Sequence, residues 1–171
     1  MIDDLIRGRR THKAFGPDPV PNDVLLELFE LARWAPNHHL TDPWRFRVLG
    51  PAAREQLKRI AEEAKAGSGS KLDRAPTLVA VSVKQTGDAA QDHEDVLAGA
   101  VAAYIVLLGA HARGLAGYWR TVSIMESPAG RAALEIGADE LPIGLLHLGD
   151  PRQEQRVPER APVEEIAFFL E

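Results

Sequence analysis

Val96–Ala110 reads VLAGAVAAYIVLLGA, fifteen residues whose one polar side-chain atom is the Tyr104 hydroxyl. Two readings compete for such a run, a membrane span and a helix buried inside a globular domain. A span needs roughly twenty apolar residues to cross the hydrocarbon of a bilayer, whereas Asp95 and His111 bound this one closely. We read it as a helix apolar on every face and buried on all sides. In a chain of 171 residues complete burial is easier when the helix also packs against a second subunit, and Gly99, Ala100, Ala103 and Gly109 would permit close approach. The alternative is the central helix of a monomer.

Outward from that helix the pattern is that of an α+β domain. Pro76–Val83, PTLVAVSV, is a continuous apolar β-type run and is expected to be a central strand. Leu141–Pro151, LPIGLLHLGDP, reads as another buried strand ending in a turn, and Gly117–Val122, GYWRTV, as a short extended piece. Trp44–Leu49 alternates apolar residues with Arg45 and Arg47, the pattern of a half-buried strand. Helices are expected at Ile2–Arg9, from Asn22 to a limit at Pro36, from Pro51 to near Gly67, and from Ser127 to Gly137. Gly67–Ser70 reads as a flexible connection. The tail VEEIAFFLE carries Ile166, Phe168, Phe169 and Leu170, which need burial. Several connections are too short for regular parallel crossovers. The expected architecture is one domain over residues 1–171, a small mixed β-sheet with surrounding helices.

Composition narrows the function classes. A net charge of -5 gives no global attraction to nucleic acid or to an anionic membrane. With no cysteine, disulfides, thiolate zinc sites, iron–sulfur ligation and cysteine nucleophiles are excluded. A cytoplasmic setting is compatible with that, and MIDDLIRGRR, with acids first and no apolar run, does not read as a secretion signal. No G-x-S-x-G elbow, P-loop or G-x-G-x-x-G turn occurs.

Two stretches carry chemistry. In GRRTHK, Arg9, Arg10 and Lys13 crowd the end of a helix with Thr11 among them, enough charge and donors to hold a phosphate through an arginine fork; a solvated helix end is the bland alternative. In Ala35–Phe46, APNHHLTDPWRF, His38 and His39 are sequence neighbours, which rarely lets both rings face one ion, so no metal site is assigned.

Taken together, RRTHKAF, APNHHLTDPWRF, the long apolar helix, GLAGYWRTV, LLHLGDP and RAPVEEI resemble, in order and spacing, the FMN-dependent nitroreductase family, its compact members above all. The resemblance implies an α+β homodimer built around long central helices, with FMN at the subunit interface. It makes Arg9, Arg10 and Thr11 the first FMN-contacting segment, with arginine on the phosphate, and puts Lys13 near the pyrimidine edge, where a cation would stabilise the reduced flavin. Asn37 and His38 are implied to reach the flavin held mainly by the other subunit, with Trp34 close by. Trp119, Arg120 and Thr121 match the segment beside the ring, Trp119 being equally readable as core. Arg160 resembles the late basic residue that completes the phosphate site. Asp42 departs from the pattern by standing where glutamine is usual.

The implied activity is an oxidoreductase in which NAD(P)H reduces the flavin and a nitroaromatic, quinone-like or related small molecule reoxidises it, with no side chain as an obligatory nucleophile. Two rivals stand beside it. One keeps the fold for other flavin chemistry, dehalogenation or flavin cleavage. The other is a non-catalytic flavin-binding protein.

Overall fold

The computed structural model describes residues 1–170. In chain order the elements are α1 (Ile2–Gly8), α2 (Asn22–Ala32), β1 (Trp44–Val48), α3 (Pro51–Ala64), β2 (Thr77–Lys84), α4 (Ala89–Ala112), β3 (Ala116–Arg120), α5 (Pro128–Ala133) and β4 (Glu140–Gly149). The four strands form one sheet in the order β1-β2-β4-β3. All three pairings are antiparallel, and the sheet is mixed only through an isolated parallel bridge between Thr11 and Gly117.

Period-two alternation sends the side chains of the central strands to opposite sides. Val79, Val81, Leu146 and Leu148 join α2 and α4 through Leu25, Leu28, Ala102 and Val106. Leu78, Ala80 and Leu145 join Leu57 and Ala61 of α3 together with Leu72 and Met125. Gly144 on β4 is required by a close approach, since a Cβ there would overlap the Trp119 indole.

α4 is longer than its apolar run. Asp88 caps it, its carboxylate accepting from the amides of Ala90 at 2.9 Å and Gln91 at 3.2 Å, so the polar turn before Val96 is helical too. Burial on all sides is not achieved within one chain. Leu97 and Val101 are 55% and 40% exposed, and with half-buried Tyr104 and Leu108 they form an apolar stripe at alternating spacings of four and three. Of the four small residues, Gly99, Ala103 and Gly109 serve a different contact from the one expected of them, while Ala100 is only half-buried. Gly99 lies against Val83, Gly109 against Leu28 and Leu31, and Ala103 is in the core, so the close approach they permit is to the chain's own sheet and α2.

The tail also departs from expectation. Ile166, Phe168, Phe169 and Leu170 are all exposed, and the tail's one regular piece is a short turn at Val163–Glu165; Glu171 lies outside the described residues. α5 stops at Ala133 rather than Gly137, where Glu135 takes a left-handed φ of 53°.

His147 on β4 is wholly buried beside Tyr118, ring centroids 5.8 Å apart, and neither ring nitrogen has a partner among the described residues. Burial pushes its pKa down from 6.5 to about 3, helped by the charges of Arg120, Arg54 and Arg74. The folded state therefore holds a neutral ring that the unfolded chain protonates. Its contribution is complete above pH 6.5 and is lost as pH falls from there toward 3. We predict that urea denaturation of His147→Leu shows a shallower loss of stability between pH 6.5 and 5 than the wild type, whose slope from this one group approaches about 1.4 kcal/mol per pH unit. Parallel pH profiles for the two proteins would refute it.

Candidate functional site

Both ends of the chain build one basic cavity. α1 ends at Gly8, and Arg10 Nη1 donates to the carbonyls of Arg7 at 2.5 Å and Arg9 at 2.9 Å, closing the helix C-terminus. The chain then lies along β3, where Thr11 bridges Gly117 and the His12 amide donates to the Gly117 carbonyl at 3.1 Å. The segment after β4 returns beside it, with the Gly16 amide donating to the Asp150 carbonyl at 2.8 Å and Phe15 bridging Pro151. That pairing carries Arg160 toward α1. Arg7, Arg9, Arg10 and Arg160 line a cavity of about 480 Å³ together with Ile6 and Tyr104, and no acid among the described residues lines it. The Arg9 guanidinium lies over the Tyr104 ring at 5.8 Å, and its Nε is buried with no hydrogen-bond partner among the described residues. Unpaired buried donors are rare because they are costly. Four guanidinium groups around an acid-free cavity suit a dianionic group such as a phosphate monoester.

A second cavity, of about 400 Å³, takes in Arg120 and Thr121 together with Lys65 and Lys71. Because β3 alternates, Arg120 points away from the α4 side of the sheet, whereas Trp119 packs into that side and donates from Nε1 to the Ile143 carbonyl at 3.1 Å. Lys65 and Lys71 flank Gly67–Ser70, a stretch whose composition alone predicts a flexible connection. It is instead tied down, with Glu62 accepting from the amides of Gly67 at 2.7 Å and Gly69 at 3.0 Å before a turn at Gly69–Arg74. Those two amides hold the Glu62 carboxyl below its ordinary range. An acid five and seven residues from two glycines is the only hint the sequence gave.

The loop that carries Asn37 and His38 sits elsewhere, against the N-terminal half of α4. His38 Nδ1 lies 2.6 Å from the Glu94 carboxylate and its ring stacks on His39 at 3.7 Å. Thr41 donates its one hydroxyl proton to buried Asp95 at 2.6 Å, and Asn37 Oδ1 accepts from the Asp42 amide at 3.3 Å. Asp42 thus serves the loop's own hydrogen bonding. His39, Leu40 and Asp42 all take left-handed φ values, of 59°, 51° and 44°. Such strain persists only where the surroundings over-determine it, as these contacts do. Trp34, at the end of α2, is 78% exposed, and Lys13 is exposed outside the lining of either cavity. Glu94 and Tyr104 are ten residues apart on α4, so the loop and the arginine cavity are separated by about 15 Å along the helix axis.

An α+β domain with a four-stranded antiparallel sheet, a long apolar helix and an arginine-lined anion cavity defines a class, and comparison with known proteins gives the family. The chain belongs to the nitroreductase family, which it matches over residues 6–150. It is 25% identical over 177 aligned residues to the "Putative NAD(P)H nitroreductase YfhC" of Bacillus subtilis, across 95% of this chain and 91% of that one. A nitroreductase-like family protein from Bacillus cereus superposes with a TM-score of 0.90 at 25% identity, covering 100% of this chain and 96% of the other. The FMN-dependent nitroreductase NfnB from Mycobacterium smegmatis, solved in complex with NADPH, superposes with a TM-score of 0.82 at 20% identity, covering 99% and 98%.

The loop's anchorage is testable on its own. Thr41→Val leaves the buried Asp95 carboxylate without one donor and is predicted to cost about 1–3 kcal/mol of stability in urea denaturation, whereas Thr41→Ser keeps the hydroxyl and most of the stability. Equal losses in the two variants would show that the hydrogen bond is not what holds the loop.

Proposed function

We propose that this protein is a homodimeric, FMN-dependent oxidoreductase that takes electrons from NAD(P)H and passes them to a nitroaromatic, quinone-like or related small acceptor. The observation that carries this reading is the convergence of Arg7, Arg9, Arg10 and Arg160, from opposite ends of the chain, on one cavity that among the described residues has no acid in its lining and a buried donor without a partner. The residues present fit FMN: its phosphate monoester is a dianion, and Arg9 and Arg160 would hold it beside Tyr104 while Arg10 closes the end of α1 behind them. Thr11, tied to β3, leads from that cavity toward Arg120 and Thr121, which would lie beside the ring. The names of the relatives support the cofactor and the donor.

When bound, FMN supplies hydride chemistry that no side chain here can perform. The protein's part is position and electrostatics. Its cations favour negative charge arising on the ring as it is reduced, and Trp119, fixed in the core through Ile143, keeps the strand beside the ring rigid.

The dimer reading rests on α4. Its exposed stripe of Leu97, Val101, Tyr104 and Leu108 is an apolar seam, and Tyr104 belongs to both the seam and the arginine cavity. Two α4 helices crossing in opposite directions would bring the Asn37–His38 loop of one protomer, some 15 Å along the axis from its own cavity, to the cavity of the other. Site residues too far apart to share one ligand within a chain would then meet across the two-fold axis.

We expect the purified protein to be yellow, to bleach with NADH or NADPH without oxygen, and to recover its colour when a nitroaromatic is added. Arg9→Ala should lower FMN affinity by at least about tenfold, as a charge-assisted phosphate contact contributes roughly 1.5–3 kcal/mol. Unchanged flavin retention on dilution would remove Arg9 from the site.

A further inference from the structure

Along α4 the exposed stripe does not stop at its apolar residues. The same alternating spacing of three and four runs from Glu94 through Leu97, Val101, Tyr104 and Leu108 to His111, so a carboxylate stands at one end and an imidazole at the other. These positions are symmetric about a point midway between Val101 and Tyr104, and such a surface is complementary to its own copy turned end for end. A two-fold axis through that point lays Leu97 against Leu108 of the partner subunit, Val101 against Tyr104 of the partner subunit and Glu94 against His111 of the partner subunit. Helices running the same way would instead set carboxylate against carboxylate and imidazole against imidazole. Seams of this period belong to helices about 20° from aligned. At that angle the two ends, about 13 Å from the midpoint, stay within reach of long side chains.

Both end groups can take part. Glu94 engages His38 Nδ1 at 2.6 Å through Oε2, and its Oε1 has no partner among the described residues. His111 rests on the end of α1, where a Cβ on Gly8 would come within 2.9 Å of its Nε2. It forms no salt bridge among the described residues, although Arg152 and Glu154 line a cavity with it and His12. Contact between Glu94 of one protomer and this imidazole of the other sets His38 beside the support of α1, one residue before Arg9 of the arginine cavity. We propose, on the dimer reading above, that two chains pair through α4 in this register and that Glu94 of each holds His111 of the partner subunit, which fastens each protomer's His38 loop beside the other's arginine cavity.

The chain has no cysteine, so introduced thiols report the register without background. The Leu97→Cys/Leu108→Cys double variant should be joined into covalent pairs by a bis-maleimide linker as long as the spacing of packed helix axes, about 8–10 Å. Leu97→Cys alone and Leu108→Cys alone should stay unlinked, because like positions lie about 16 Å apart along the axis. In sedimentation equilibrium of the flavin-loaded protein, Glu94→Lys and His111→Glu should each raise the dimer dissociation constant at least about tenfold, by removing the pair or setting like charges together. Their combination should recover most of the association, since the pair is rebuilt with its charges exchanged. Linked pairs from either single-cysteine variant, dimers that the double-cysteine variant fails to link, single charge variants that associate as tightly as the wild type, or a charge-exchanged protein no tighter than its parents would each overturn the pairing and leave the dimer reading in place. A wild-type protein that sediments as single chains sinks that reading and the pairing with it.

Discussion

The fold and the proposed site both depend on how α4 disposes of its apolar surface. One face is buried against the sheet and α2, where Gly99 and Gly109 let Val83 and Leu28 come close. The other face leaves Leu97 and Val101 exposed beside half-buried Tyr104 and Leu108. Covering a large apolar side chain contributes roughly 1.5–3 kcal/mol, and a two-fold axis counts each residue twice. The helix is long and apolar enough by composition to cross a membrane, and half of its most apolar window is buried inside this fold. A second copy of the same stripe is the covering surface we favour, because the arginine cavity opens beside it.

Electrostatics then separates the molecule's overall charge from its local character. A chain of net charge -5 nevertheless has two cavities lined by cations and by no acid. Glu62, next to the second of them, accepts from the Gly67 and Gly69 amides. Unpaired guanidinium donors inside a protein are costly, and Arg9 Nε and Arg120 Nη1, one at each cavity, are both buried without a hydrogen-bond partner among the described residues. The two orphaned donors mark where an anionic ligand would lower the free energy most.

Much of this was legible in the sequence, and what was not has specific physical reasons. The strands were readable because their apolar runs are short and lie close to Gly or Pro, β2 being rich in valine as well; Arg9 and Arg10 were readable as a basic cluster, and Arg160 through the resemblance of RAPVEEI. The polar first turn of α4 was not, since Ala89–Asp95 lacks a helical hydrophobic stripe and is helical because Asp88 caps it. Gly99, Ala103 and Gly109 meet the chain's own sheet and α2 rather than a second subunit, because spacing tells that a surface is close-packed, not which surface meets it. Lys65 and Lys71 were hidden by the glycines and serines between them, whose order comes from Glu62 rather than from local propensity. Lys13 drew attention as part of the basic cluster, yet its side chain lines neither cavity.

The central claim is that two copies of the chain hold the flavin between them. Sedimentation velocity of the untreated protein, followed at the flavin's visible absorption band, tests it most directly. The account predicts that colour sediments only with a species of twice the 18.7 kDa chain mass and is released when that species dissociates. Flavin carried by single chains, or a colourless pair that takes up no added FMN, would contradict it.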